Sequence, residues 1–294
     1  MPAVSIGVCA YNEEKNIRHT LDSILAQIVQ VSSVDEIIVV SSGSTDGTDV
    51  IVKEYGSKDS RIRLLRQEKR EGKNSAVNAF MAIAKGDILV LVNADNNLSE
   101  GALDRLLAHF KDPKVGVVGG RPMPVNRKDT IAGFAVHMLW DMHHRLSLIY
   151  PKVGEAIAFR NLHIQIPTGM QSDEDLVRMD LEKQGYRTEY EPEAIIINKG
   201  PETVQDYWKQ RTRVNIGERY MKRLFDFDIP TWDNRFLFQA YLGFLRDNSE
   251  QMIRMSAAIV LELLARVYAS IYVKLDKGDK VIWSMVESTK NMNS

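Results

Sequence analysis

An α/β fold with a mainly parallel sheet, helices on both faces and a helical C-terminal extension is predicted by three features of the 294-residue sequence. Short β-branched runs alternate with helical periodicity through the first half, the signature of successive βαβ units. Polar or glycine-containing turns follow the runs on their C-terminal side. From Val204 onward the spacing is almost wholly helical.

The elements follow in order. Val4–Cys9 is apolar throughout and reads as a buried strand, with Cys9 as a small buried hydrophobe. Asn12-Glu13-Glu14 opens a helix to about Gln27, with Ile17, Leu21, Ile24 and Leu25 on one face. Glu36–Val40 is a second strand, and the turn Ser41 to Gly47 leads to a helix ending near Tyr55. Ile62–Leu65 is a third strand, and Gly72 precedes a helix over Asn74–Ala84. Ile88–Val92 is the most strand-like run and ends at Asn93-Ala94-Asp95. Ser99 is expected to cap a helix to Phe110, and Val115–Val118 is a further strand. These strands are expected to form one parallel sheet, whose ligands bind beyond the strands' carboxyl ends. Later come helices over Ile131–Tyr150 and Glu174–Gln184, and strands over Thr188–Glu191 and Ala194–Asn198.

A formal net charge of −1 gives no general attraction for nucleic acid, and one cysteine excludes an internal disulfide framework. The start Met1-Pro2-Ala3 enters a strand without a basic leader. The most apolar late stretch, Met255–Leu275, is broken by Glu262, Arg266 and Lys274. These features predict a cytoplasmic protein, soluble or peripheral on the cytoplasmic face of a membrane.

Three clusters carry chemistry. Asp95, at a strand end, is placed to hold Mg²⁺ or Mn²⁺ against a diphosphate, since these hard cations take oxygen ligands and share substrate phosphates. Asp173 in Gln171-Ser172-Asp173-Glu174-Asp175 suits a general base, although Ser172 with Asp175 also matches a capping box. Gln210-Arg211-Thr212-Arg213 lies inside a basic stretch from Lys209 to Arg223 whose arginines suit diphosphate oxygens, a solvated face or a membrane surface. Arg70, Gly72 and Lys73 add cationic, close-approach groups. His137, His143 and His144 share one helix, but nothing nearby completes a metal ligand set, so a partly buried or acceptor-facing helix is expected.

The order of these elements resembles family 2 glycosyltransferases of the GT-A fold. The likeness is carried by Ala10-Tyr11-Asn12-Glu13-Glu14, Gly43-Ser44-Thr45-Asp46-Gly47-Thr48, Gly72-Lys73-Asn74-Ser75-Ala76-Val77-Asn78, Ala84-Lys85-Gly86-Asp87, Asn93-Ala94-Asp95, Asp173-Glu174-Asp175-Leu176 and Gln210-Arg211-Thr212-Arg213. It implies that Ala10, Tyr11, Asn12 and Glu13 line the base and ribose site and that Lys73 approaches the nucleotide. It also implies that Asp95 ligates the metal, that Asp173 is the base of an inverting single displacement, and that Gln210, Arg211 and Arg213 lie near the diphosphate and acceptor. Four positions depart from the pattern. Ser41-Ser42 replaces the usual Asp-Asp, and Asn93 replaces the first acid of Asp-x-Asp; Ser42, Asn93 and Ala94 are kept in the implied donor site. Val214 replaces a tryptophan, and Asn198 stands where relatives often carry a metal-ligating histidine.

The expected organisation is a catalytic domain over residues 1–217, divided near 120 into donor and acceptor halves, and a helical region over 218–294. Ile253, Ile259, Leu263, Leu264, Val267, Ile271 and Val273 recur at helical spacing, fitting a helix packed on the catalytic domain or one lying in a lipid interface. The function expected is transfer of a hexose from UDP- or GDP-sugar to a glycan or lipid-linked acceptor. Two rival readings are a catalytically silent nucleotide-sugar-binding subunit, motivated by Ser42, Asn93 and Val214, and a sugar nucleotidyltransferase. The second is disfavoured because Ala10-Tyr11-Asn12-Glu13 replaces a glycine-rich phosphate loop.

Overall fold

A computed structural model describes residues 1–227, 234–275 and 286–289. The first half contains β1 (Ala3–Ala10), α1 (Ile17–Leu25), β2 (Ser33–Ser42), α2 (Thr48–Lys58), β3 (Ile62–Gln67), α3 (Lys73–Ile83), β4 (Ile88–Asn93), β5 (Asn97–Leu98) and α4 (Ala102–Ala108). There follow β6 (Val115–Pro124), α5 (Ile131–Ser147), β7 (Ala156–Arg160), α6 (Asp173–Lys183), β8 (Arg187–Asn198), α7 (Val204–Phe225), α8 (Asn234–Asp247) and α9 (Met252–Lys274). The predicted helical tail over 276–285 and 290–294 lies outside the described residues.

The strands form one sheet in the order β3-β2-β1-β4-β7-β6-β8-β5. Six strands point the same way, while β7 runs antiparallel to both β4 and β6, and β5 antiparallel to β8. The sheet is therefore mainly parallel, as expected, and is made mixed by the two reversed strands β7 and β5. The five-residue β7 was not expected, and β8 is a single 12-residue strand where two were expected. Gly101, in a left-handed conformation at φ 71°, occupies the N-cap of α4, the role expected of Ser99.

Strand geometry explains the burial. Alternate residues project to opposite faces, so Val4, Ile6, Val8, Ile37, Val39 and Val90 pack under α1, α2 and α4. Ile38, Val40, Leu89 and Leu91 face the layer containing α3, α6, α7 and part of α9. Both faces are apolar because both are covered. Close approach of α3 depends on Gly7, since a Cβ there would meet the Phe80 ring at 2.5 Å.

A third apolar cluster joins Phe134, Val136 and Met138 of α5 to Tyr207 of α7, Phe244 of α8, and Met255 and Ala258 of α9. The helical extension thus packs on the catalytic part, and α7 runs unbroken through residue 217. Its tie to α9 is polar and buried: the Arg211 Nε and a terminal nitrogen donate to the two Glu262 oxygens at 2.8 and 2.9 Å. Arg266 also donates to Glu262 at 2.9 Å. The opposite side of α9 is apolar yet exposed, with Leu263, Leu264, Val267 and Ile271 each more than half accessible. Ser249–Lys274 is long and apolar enough to cross a membrane by length and composition alone.

Removing one partner of a buried ion pair leaves an uncompensated charge and costs about 3–5 kcal/mol. Glu262→Ala is accordingly expected to lower Tm and to expose α8 and α9 to early proteolysis. Glu262→Gln, which keeps one acceptor for Arg211, is expected to fall between Glu262→Ala and the unmodified protein in both measurements.

Candidate active site

A cavity of about 880 Å³ opens at the carboxyl edge of the sheet, where polar groups from β1, β2, β4 and β8 converge. Because β7 is reversed, its N-terminal end arrives at the same edge and delivers Glu155. The N-termini of α3 and α6 and faces of α5, α7 and α9 line the rest of the wall.

On one flank, the Arg70 guanidinium lies over the Tyr11 ring, 4.1 Å from its centroid, and both line the cavity. Ala10, Glu13 and Ser42 line the same flank, Glu13 being buried and holding Asn16 Nδ2 at 3.0 Å. The Ser42 hydroxyl accepts from the Glu71 N–H at 3.3 Å, tying the end of β2 to the loop before α3. That loop turns at Gly72 (φ 92°), a conformation a side chain would strain.

Two implied donor residues do not line the cavity. Asn12, at φ 53°, uses its Oδ1 to accept from the Thr45 N–H at 2.8 Å and so fixes the turn after β2. Ala94 is buried, and its carbonyl accepts from the Thr20 hydroxyl at 2.8 Å. Arg211 touches the cavity, and its Nε and one terminal nitrogen are engaged by Glu262, which ties α7 to α9. Gln210 and Arg213 do line the cavity.

The centre is a network of charges. Lys73 Nζ lies 2.8 Å from both Asp173 Oδ2 and Glu174 Oε1. Asp173 is 4 % exposed, and burial, with Glu174 beside it, pushes its pKa up to about 7 against the opposing pull of Lys73. Glu174 moves the other way: burial raises its pKa, but Lys73 together with hydrogen bonds from the Glu174 backbone and Asp173 lowers it overall. Asp173 is the first residue of α6, and the residue before it, Ser172, sits in a left-handed conformation at φ 70° without a side-chain cap. The expected capping box is not formed. Burial lowers the Arg213 pKa, although Asp95, Glu155, Asp173 and Glu174 all act to raise it.

Asp95 is half-buried in the wall and Asn198 almost wholly buried beside the end of β8. The Asn198 Oδ1 has no hydrogen-bond partner among the described residues. An orphaned carbonyl oxygen and a carboxylate in one cavity fit a hard divalent cation that takes its remaining oxygens from phosphates and water. Among the described residues no three His, Cys, Asp or Glu side chains form a ligand set by themselves.

Glu155 carries no sequence motif, and sequence reasoning missed it. It stands at φ 63°, is half-buried, and lines the cavity. Burial, then the nearby Asp95 charge, raises its pKa. The three histidines separate: His137 Nε2 pairs with the Asn126 carbonyl and His144 Nδ1 with the Tyr190 hydroxyl. His143 lies edge-on to Trp140 and Tyr190, and burial pushes it down to about 3, so it is neutral. Burial also pushes the Cys9 thiol up to about 12, consistent with an apolar and unreactive side chain.

Comparison with known proteins adds an independent line. The model of glycosyl transferase family 2 matches residues 5–177. The chain is 29% identical over 239 residues to the probable glycosyltransferase YdaM of Bacillus subtilis, covering 75% of this chain and 56% of that one. It is 28% identical over 226 residues to poly-beta-1,6-N-acetyl-D-glucosamine synthase of Staphylococcus aureus, covering 72% and 54%. The chain therefore spans about half the length of these curated relatives. Among solved structures it is similar to mannosyltransferase PcManGT from Pyrobaculum calidifontis, in complex with GDP-Man and Mn²⁺. That match has a TM-score of 0.66 at 21% identity over 94% of this chain and 88% of that one.

Because the Asp173 pKa is raised in the folded protein, the stability it contributes is full below pH 3.8 and is lost as pH rises through about 7. The Tm advantage of Asp173→Asn over the unmodified protein should therefore grow from pH 4 to pH 7 and then level off in thermal melts.

Proposed function

We propose, from the premise that this chain belongs to glycosyl transferase family 2, that it moves a hexose from a UDP- or GDP-sugar to a hydroxyl of a lipid-linked or glycan acceptor by an inverting single displacement. The chain has the GT-A fold and is a glycosyltransferase. The observation that carries the finer reading is the meeting of Asp95, Arg213 and Asp173 in one cavity, although the two acids are far apart in the chain.

The chemistry assigned to each group follows from its surroundings. Tyr11 with Arg70, and Glu13, offer a stacking surface and a carboxylate for a nucleoside. Lys73 and Arg213 supply cationic donors towards a diphosphate. Asp95 and Asn198 would hold Mg²⁺ or Mn²⁺, which supplies neutralisation of the departing diphosphate. Asp173 takes the acceptor hydroxyl proton as that oxygen attacks the anomeric carbon from the face opposite the leaving nucleoside diphosphate. The base must first be released from Lys73, and phosphate oxygens compete for that lysine.

The lipid-linked acceptor is favoured by α9. Leu263 and Val267 line the cavity and are at the same time exposed on the outer apolar face, so a polar head at Asp173 would lead to an apolar surface. The same face would rest against a membrane that presents such an acceptor.

Three outcomes are expected. Asp173→Asn should lose about 10²–10⁴-fold in transfer while nucleotide-sugar binding persists in a thermal-shift assay. In the unmodified protein kcat/KM should fall about tenfold per pH unit below 7, as Asp173 becomes protonated. Leu263→Asp with Val267→Asp should reduce co-sedimentation with anionic vesicles and preserve transfer to a short, water-soluble acceptor. Transfer retained by Asp173→Asn would remove the base from this scheme.

A further inference from the structure

The position before Ala94-Asp95 holds an amide where the family pattern has an acid, and the structure gives that amide a specific occupation. Asn93 Nδ2 donates to Glu155 Oε2 at 3.0 Å. Asn96 Nδ2 donates to the same oxygen at 2.9 Å and to the Glu155 carbonyl at 3.2 Å. The two amides flank Asp95 in the chain, so together they clamp the Glu155 carboxylate against the turn that carries Asp95. Both take Oε2, which leaves the lone pairs of Oε1 for another partner.

The fold meets a cost for this arrangement. Glu155 sits at φ 63°, a backbone region that favours glycine, at the point where the reversed strand β7 begins. Its charge also faces that of Asp95 in a partly desolvated wall. Arg213 lies in the field of Asp95, Glu155, Asp173 and Glu174, and Lys73 pairs with the last two. Four carboxylates thus gather around Lys73 and Arg213 in one wall of the cavity. Asn198, 4 % exposed and with its Oδ1 unpartnered, lines the same cavity.

We propose that Glu155 is the second carboxylate of the metal and diphosphate site, replacing across the sheet the acid that Asn93 lacks, and that Asn93 is its positioning residue. The proposal rests on the metal-dependent reading given above. The negative charge has moved from the end of β4 to the start of the neighbouring β7, whose Ala156 is in register with Val92. Charge at the site is thereby conserved, though it comes from a different strand.

The test measures Mn²⁺ binding directly, by electron paramagnetic resonance of free Mn²⁺ with UDP or GDP present. Four full-length proteins are compared: unmodified, Asp95→Asn, Glu155→Gln, and Asn93→Asp combined with Glu155→Gln. Glu155→Gln is expected to weaken Mn²⁺ by about tenfold or more, with Tm unchanged or raised, and the double variant to recover most of the loss. Unmodified affinity in Glu155→Gln, with Asp95→Asn defective, overturns the role of Glu155 and leaves the metal reading standing. Loss in Glu155→Gln without recovery in the double variant overturns the exchange between positions 93 and 155. If no protein, the unmodified one included, binds Mn²⁺ with either nucleotide, the metal reading itself fails.

Discussion

The buried ion pair between Arg211 and Glu262 is the contact on which the active-site wall depends. Arg211 and Arg213 are two residues apart on α7, which at 3.6 residues per turn places them on nearly opposite faces. Locking Arg211 to α9 therefore turns Arg213 towards the cavity, where it lies in the field of four carboxylates. The same pair seats α9, whose inner side closes over α5 and α7 while its outer side stays apolar and exposed. The charge in the cavity wall and the exposed apolar surface beside it are consequently set by one helix–helix contact.

Burial then decides how each group behaves. Asp173 is held near neutrality, where a carboxyl can both take and return a proton in the physiological range, whereas Glu174 beside it stays ionised because Lys73 favours its charge. Two adjacent acids are thus shifted in opposite directions by one lysine and by their depth in the wall. His143 is kept neutral by the same physics.

Strand direction accounts for most of what differed from expectation. β7 is five residues long, Ala156 to Arg160, and its sequence says nothing about which way it will run. Its reversal places Glu155 at the catalytic edge, and no spacing rule would have found that residue. The exchange between Arg211 and Arg213 has a similar origin: both sit in one basic run, and only the packing of α9 distinguishes the anchor from the cavity group. Ser172 fitted a capping pattern, yet its left-handed backbone takes its hydroxyl out of the cap and starts α6 at Asp173 itself.

By itself the sequence determined the βαβ order, the strand ends bearing Tyr11, Ser42 and Asp95, the acid run at Asp173 and the helical tail. These are local properties, written in residue period and turn chemistry. Tertiary structure decided which acids face one another, which arginine is free to meet a ligand, and that an exposed apolar helix face adjoins the cavity. Such outcomes depend on the direction of one short strand and the seating of one helix, and both are settled by contacts between residues remote in the chain.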